Sequence, residues 1–135
     1  MSLNLEDVRK MAQRYAKAWS SHVAADVAAF YEPDGSIIIN DGEPIVGRAA
    51  FAEMAQSFFD GFPDLVITVD AVRTAGNRAV MMWTLEGTNS GPEGSGHKVR
   101  FSGWEAWHLS DELKVITSDG RFDVEEYERQ CAEGV

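Results

Sequence analysis

Three side chains in this sequence have the types and spacing for proton chemistry: Tyr15, Glu86 and Glu105. Two carboxylates in one apolar enclosure repel each other and lose hydration, so one can hold a proton while the other acts as base. A tyrosine hydroxyl above them would suit an enolate-like oxygen or a proton transfer. Structural readings compete. Tyr15 can be a core tyrosine, Glu105 can pair with a basic side chain or with Tyr15, and Glu86 can face water at the end of a sheet. Trp19, Phe58, Phe62, Met82, Thr84 and Trp107 are the candidate wall for a small or flat apolar ligand. Asn40, a turn residue by type, is a further candidate contact.

Other chemistries lack their residues. His22, His97 and His108 are widely spaced and no HExxH is present, so no metal site is expected. No nucleophile elbow supports Ser-His-Asp catalysis. Gly91, Gly94 and Gly96 precede no helix and so make no phosphate cradle. The expected chemistry needs no cofactor.

The elements that must position these residues are legible from pattern. Asn4 is a helix N-cap, and Leu5, Val8, Ala12, Tyr15, Ala16 and Trp19 form a stripe at helical spacing. A short helix is expected from Ala24 to Glu32, a strand from Ser36 to Asn40, and a third helix from Arg48 to Asp60 with Phe51, Met54, Ala55 and Phe58 inward. Strands follow at Leu65 to Arg73, Arg78 to Thr88, Lys98 to Leu109 and Lys114 to Arg121, then a helix at Val124 to Cys131. This order predicts an α+β fold: a cone-shaped, curved antiparallel sheet packed on N-terminal helices.

Register decides which strand face looks inward. With Ser90 paired to Val99 across the loop, Thr84 stands opposite Glu105, and Glu86 is a diagonal neighbour at about 7 Å. Trp83 and Trp104 then fall on the outer face. Apolar groups on both faces predict that the outer one is covered, most economically by a second copy of the chain.

Composition bounds the class of function. The chain has 135 residues, with 12 Lys+Arg against 22 Asp+Glu and a formal charge of -10, which disfavours nucleic acid and anionic membranes as partners. One domain spanning residues 1–135 suffices, and neither a membrane span nor a signal-peptide core is visible, so a cytoplasmic protein is expected. The lone Cys131 excludes an internal disulfide framework.

The order of elements, with RYAKAW in the first helix, AAFYEPDGSI, EPIVGRAAF, SFFDGFPDL, WTLEGTNSG, VRFSGWEAWHL and the closing DGRFDVEEYERQ, resembles the SnoaL-like group of the nuclear transport factor 2-like superfamily. The resemblance covers essentially the whole chain and implies a cone whose concave side holds an apolar cavity. The superfamily includes polyketide cyclases, a ketosteroid isomerase, an epoxide hydrolase, dehydratases and non-catalytic proteins. By position, the isomerase pair of helix-one tyrosine and strand acid corresponds to Tyr15 and Glu105. Its general base corresponds to Ile39, and the aspartate used by the epoxide hydrolase and some cyclases corresponds to Gly120. Asn89 stands where the group's GTH.G pattern has histidine. The resemblance therefore implies a small-molecule-binding protein, with cofactor-independent cyclase, isomerase or hydratase chemistry as one expectation. A non-catalytic ligand-binding or protein-interaction module is the other.

Overall fold

The computed structural model describes residues 3–135. Helix α1 (Leu5–Ser21) starts where Asn4 Oδ1 accepts the Glu6 and Asp7 backbone N–H groups, at 2.9 and 3.2 Å, and it buries Val8, Met11, Ala12, Tyr15 and Ala16. Helix α2 (Ala24–Ala28) is shorter than its sequence suggests, and strand β1 (Tyr31–Ile39) begins five residues earlier than expected. The difference moves Tyr31 from a helix end to the start of a strand, where its side chain is buried. A two-residue strand β2 (Ile45–Val46) leads into α3 (Arg48–Gly61). Arg48 Nε donates to the Tyr31 carbonyl at 2.8 Å and ties the start of α3 to β1.

Strands β3 (Val66–Ala75), β4 (Arg78–Thr88), β5 (Lys98–Leu109) and β6 (Val115–Phe122) precede helix α4 (Val124–Glu133). The six strands form one curved, unclosed sheet in the order β2-β1-β6-β5-β4-β3. All neighbours are antiparallel except β1 and β6, which run parallel. Helices α1 and α3 close the concave side. The core lies between them and the inward residues of the strands, among which Met81, Leu85, Phe101 and Trp107 are buried.

The β4–β5 register corrects the sequence expectation. Thr88 pairs with Lys98, so Met81 is the partner of Glu105 and Thr84 that of Ser102. The loop closes earlier because Asn89 N–H donates to the His97 carbonyl and Gly96 N–H donates back to Asn89, at 2.8 and 2.7 Å. An odd shift exchanges the two faces of β4. Met81, Trp83 and Leu85 therefore face the concavity, while Met82, Thr84 and Glu86 face outward.

Among the described residues no helix is long and apolar enough to cross a membrane, and no group of His, Cys, Asp or Glu is arranged to hold a metal ion.

Candidate functional site

Glu105 sits mid-strand on the inward face of β5 and is only 6% exposed. Its Oε1 atom collects four donors: Tyr15 Oη at 3.0 Å, Tyr31 Oη at 2.5 Å, Trp107 Nε1 at 2.8 Å and Ser118 Oγ at 2.8 Å. Each donor arrives by a separate piece of local geometry. Trp107 is two residues along the same strand and so shares the face of Glu105. Ser118 is the cross-strand partner of Trp107 on β6. Tyr15 projects from the buried stripe of α1, and Tyr31 stands at the start of β1.

The other carboxyl oxygen differs. Glu105 Oε2 accepts no hydrogen bond from any described residue. Because Oε1 is fully engaged as an acceptor, a proton carried by Glu105 belongs on Oε2. Each tyrosine has one hydroxyl proton, and both are directed at Oε1; their own oxygens lie 3.2 Å apart. Burial, and after it the neighbouring Glu105 charge, holds the Tyr15 and Tyr31 hydroxyls well above the ordinary tyrosine range. Both are proton-bearing donors at any physiological pH.

Glu105 borders a cavity of about 70 Å³ whose walls are otherwise almost wholly apolar. Trp19 and Phe58 line one side, their rings 6.2 Å apart edge to face. Trp83, Phe101 and Phe122 line another, with Trp83 at 5.9 and 6.1 Å from the two phenylalanines. Gly103 makes room for Trp83: a Cβ there would lie 2.6 Å from its ring and 2.3 Å from the Arg121 carbonyl. Ile39 and Gly120 also line the cavity, Gly120 as the direct partner of Glu105. Arg121 borders it too, but its guanidinium makes a bidentate pair with Asp41, at 2.8 and 2.5 Å.

The structure brings together Tyr15, Glu105, Trp107, Trp19 and Phe58 from the sequence candidates, and it separates the rest. Glu86 is on the outer face, 3.6 Å from Arg100 in an exposed ion pair, so the two carboxylates do not share an enclosure. Thr84 bonds Asp70 and Ser102 on that face, and Met82 is 41% exposed beside them. Trp83, expected outside, is a cavity wall. Phe62 is buried against Tyr127, away from the cavity lining. Asn40 is a turn residue at φ 50° whose Oδ1 accepts the Phe122 N–H at 2.9 Å. Trp107 is a donor to Glu105 rather than a wall. Sequence reasoning missed Tyr31 and Ser118, and the inward parity of Ser118 with Gly120 on β6 was the available signal for one of them.

A sequence model of the SnoaL-like domain matches residues 12–116. The chain belongs to the SnoaL-like family. Solved structures show that this member shares its fold with distant proteins. A candidate polyketide cyclase from Xanthomonas campestris pv. campestris superposes with a TM-score of 0.80 at 20% identity, covering 96% of this chain and 99% of its own. A candidate SnoaL-like polyketide cyclase from Jannaschia sp. CCS1 gives 0.77 at 20% identity, with 92% of each chain covered. A protein of ketosteroid isomerase-like fold from Catenulispora acidiphila DSM 44928, in complex with trimethylamine, gives 0.78 at 12% identity, covering 89% and 90%. No curated protein matches in sequence. At these identities the likeness establishes the SnoaL-like fold and no activity.

Proposed function

We propose that this SnoaL-like protein binds a small, largely apolar molecule in the cavity and that Glu105 exchanges a proton with it through Oε2. The observation that carries this reading is the asymmetry of one carboxyl group. Four neutral donors fix Oε1, and among the described residues Oε2 is the unpartnered oxygen of the only acidic one bordering the cavity. A base held rigidly by its spectator oxygen loses little freedom when it reacts. Tyr15 and Tyr31 keep their protons and serve as positioning donors. With Ile39 and Gly120 occupying the other inward positions, proton transfer here is a one-carboxylate process: Glu105 takes a proton and returns it, as an isomerisation or ring closure requires. Glu86 has no part in it.

The test is turnover of an enolisable substrate, found by screening, with wild-type and Glu105→Gln protein. The glutamine can keep its carbonyl under the four donors while placing an amide where Oε2 was. Turnover should fall at least 100-fold with the fold intact. Unchanged turnover would remove Glu105 from the chemistry, and a wild-type protein that turns over no substrate would leave ligand binding without catalysis, the reading that the apolar Ile39 and Gly120 favour.

We further propose that two copies associate through the outer sheet face. Val66, Met82 and Trp104 are 49%, 41% and 36% exposed there, with the Glu86–Arg100 and Asp119–Arg121 ion pairs beside them. A two-fold axis would set this patch against its own copy, apolar centre on apolar centre.

A further inference from the structure

Proton transfer leaves open what balances the Glu105 carboxyl when it is ionised, and a ligand can balance it only if the cavity holds a small molecule against it, as proposed above. A carboxylate removed from water is ordinarily matched by a positive partner. The four groups that hold Oε1 are hydroxyls and an indole, all neutral. No lysine, arginine or histidine among the described residues forms an ion pair with Glu105. Arg121, the one basic residue in the described lining, directs its guanidinium to Asp41, with Asp119 Oδ1 a further 3.6 Å contact. No described residue supplies a counter-charge to Glu105, so a bound cation is one means of matching its ionised form.

The walls are suited to receive it. Six aromatic residues border the cavity: Tyr15, Trp19, Phe58, Trp83, Phe101 and Phe122. The faces of such rings carry the negative part of their quadrupole and attract organic cations, most strongly where water is excluded. A hydrated metal ion would find only one free carboxyl oxygen and no second ligand. An alkylated ammonium needs no such ligand set, because its methyl groups pack against rings while its charge faces Oε2.

We infer that the ligand class of this cavity is a small organic cation, an alkylated ammonium head group seated between the aromatic walls and Glu105 Oε2. The cavity of about 70 Å³ is roughly half the ~150 Å³ that accommodates benzene, and an alkylated ammonium head group is about as bulky as benzene, so the lining has to open to admit it. Met54 and Met81, both in the lining, are the side chains able to adjust to its shape.

Choline and 3,3-dimethylbutan-1-ol have the same shape and differ in charge, which makes them the deciding pair of probes. Titration of each into the wild-type protein, followed by calorimetry and by the indole NMR signals of Trp19 and Trp83, should show choline binding at least tenfold more tightly. Glu105→Gln should abolish that preference. Trp19→Leu, which keeps Glu105 and an apolar wall, should weaken choline more than the alcohol. Equal or tighter binding of the alcohol by the wild-type protein would overturn the cationic ligand class while leaving the cavity reading intact. If neither probe binds but a neutral compound from a library shifts the Trp19 and Trp83 signals, the cationic class is likewise overturned. If no compound shifts them, the cavity reading fails along with it.

Discussion

Gly120 on β6 is the cross-strand partner of Glu105 on β5, and its missing side chain leaves the space beside the carboxyl open. A Cβ at Gly120 would meet nothing closer than 3.7 Å, so the position can accept a side chain without moving the backbone. Gly120→Ala should fold with stability within about 1 kcal/mol of wild type, because it adds one methyl group in ordinary contact. Gly120→Leu would place its branches over Glu105 and should reduce ligand affinity at least tenfold, read by calorimetry, with the fold preserved by circular dichroism.

Tyr31 is a positioning residue. Tyr31→Phe removes the shortest of the four hydrogen bonds to Glu105 and leaves the ring contact with Phe51, at a centroid distance of 4.2 Å. The expected cost is about 1.5–3 kcal/mol in urea unfolding, the value of a hydrogen bond to a charged group. Glu105→Ala strands all four donors and should cost more than Tyr31→Phe. Equal losses would mean that the network does not act as a unit.

All three tyrosines resist ionisation in the native state. Burial and the Glu105 charge raise Tyr15 and Tyr31 well above their ordinary value, and burial lifts Tyr127 to about 12. A group whose folded pKa exceeds its unfolded one stabilises the fold fully below the unfolded value and loses that contribution as pH rises beyond it. Stability should therefore be level with respect to these groups below about pH 10 and decline above it. An ultraviolet titration should show tyrosinate forming together with loss of structure. A separate native transition near pH 10 from Tyr15 or Tyr31 would contradict the burial of the network.

Gly103 determines where Trp83 lies. The Cβ of Gly103→Ala would sit 2.3 Å from the Arg121 carbonyl and 2.6 Å from the Trp83 ring. Overpacking of this kind costs about 1–3 kcal/mol. The near-ultraviolet signal of Trp83 should change at the same time, and a variant with wild-type stability and spectrum would show that the ring is not held against β5.

Much of the fold was legible because its signals are local. The Asn4 cap, the stripe through Tyr15 and the ends of β4 and β5 follow from residue type and period, and Tyr15 with Glu105 was a readable pair. What was lost depends on contacts between distant segments. A slip in the β4–β5 loop exchanged the faces of β4, bringing Trp83 in and sending Met82, Thr84 and Glu86 out. The helical appearance of residues 24–32 hid Tyr31, whose place in β1 is fixed by pairing with β6 and by Arg48. A glycine inside a strand often marks a close approach, and Gly103 was such a mark.

The outer face provides a test of assembly independent of the cavity. Trp104→Glu would put a charge in the centre of the proposed contact and should convert a dimer to a monomer, by light scattering, without changing ligand affinity. A wild-type protein that is monomeric at high concentration would overturn the assembly and leave the site untouched.

The proposed function requires Glu105 Oε2 to be the polar atom that this cavity presents to its ligand. Native mass spectrometry of wild-type and Glu105→Gln protein against one library of small organic molecules reads this out. The predicted result is a set of compounds, each carrying a positive charge or a proton to give, that bind the wild type and are lost from the variant. The same compounds binding both proteins with equal occupancy would contradict it.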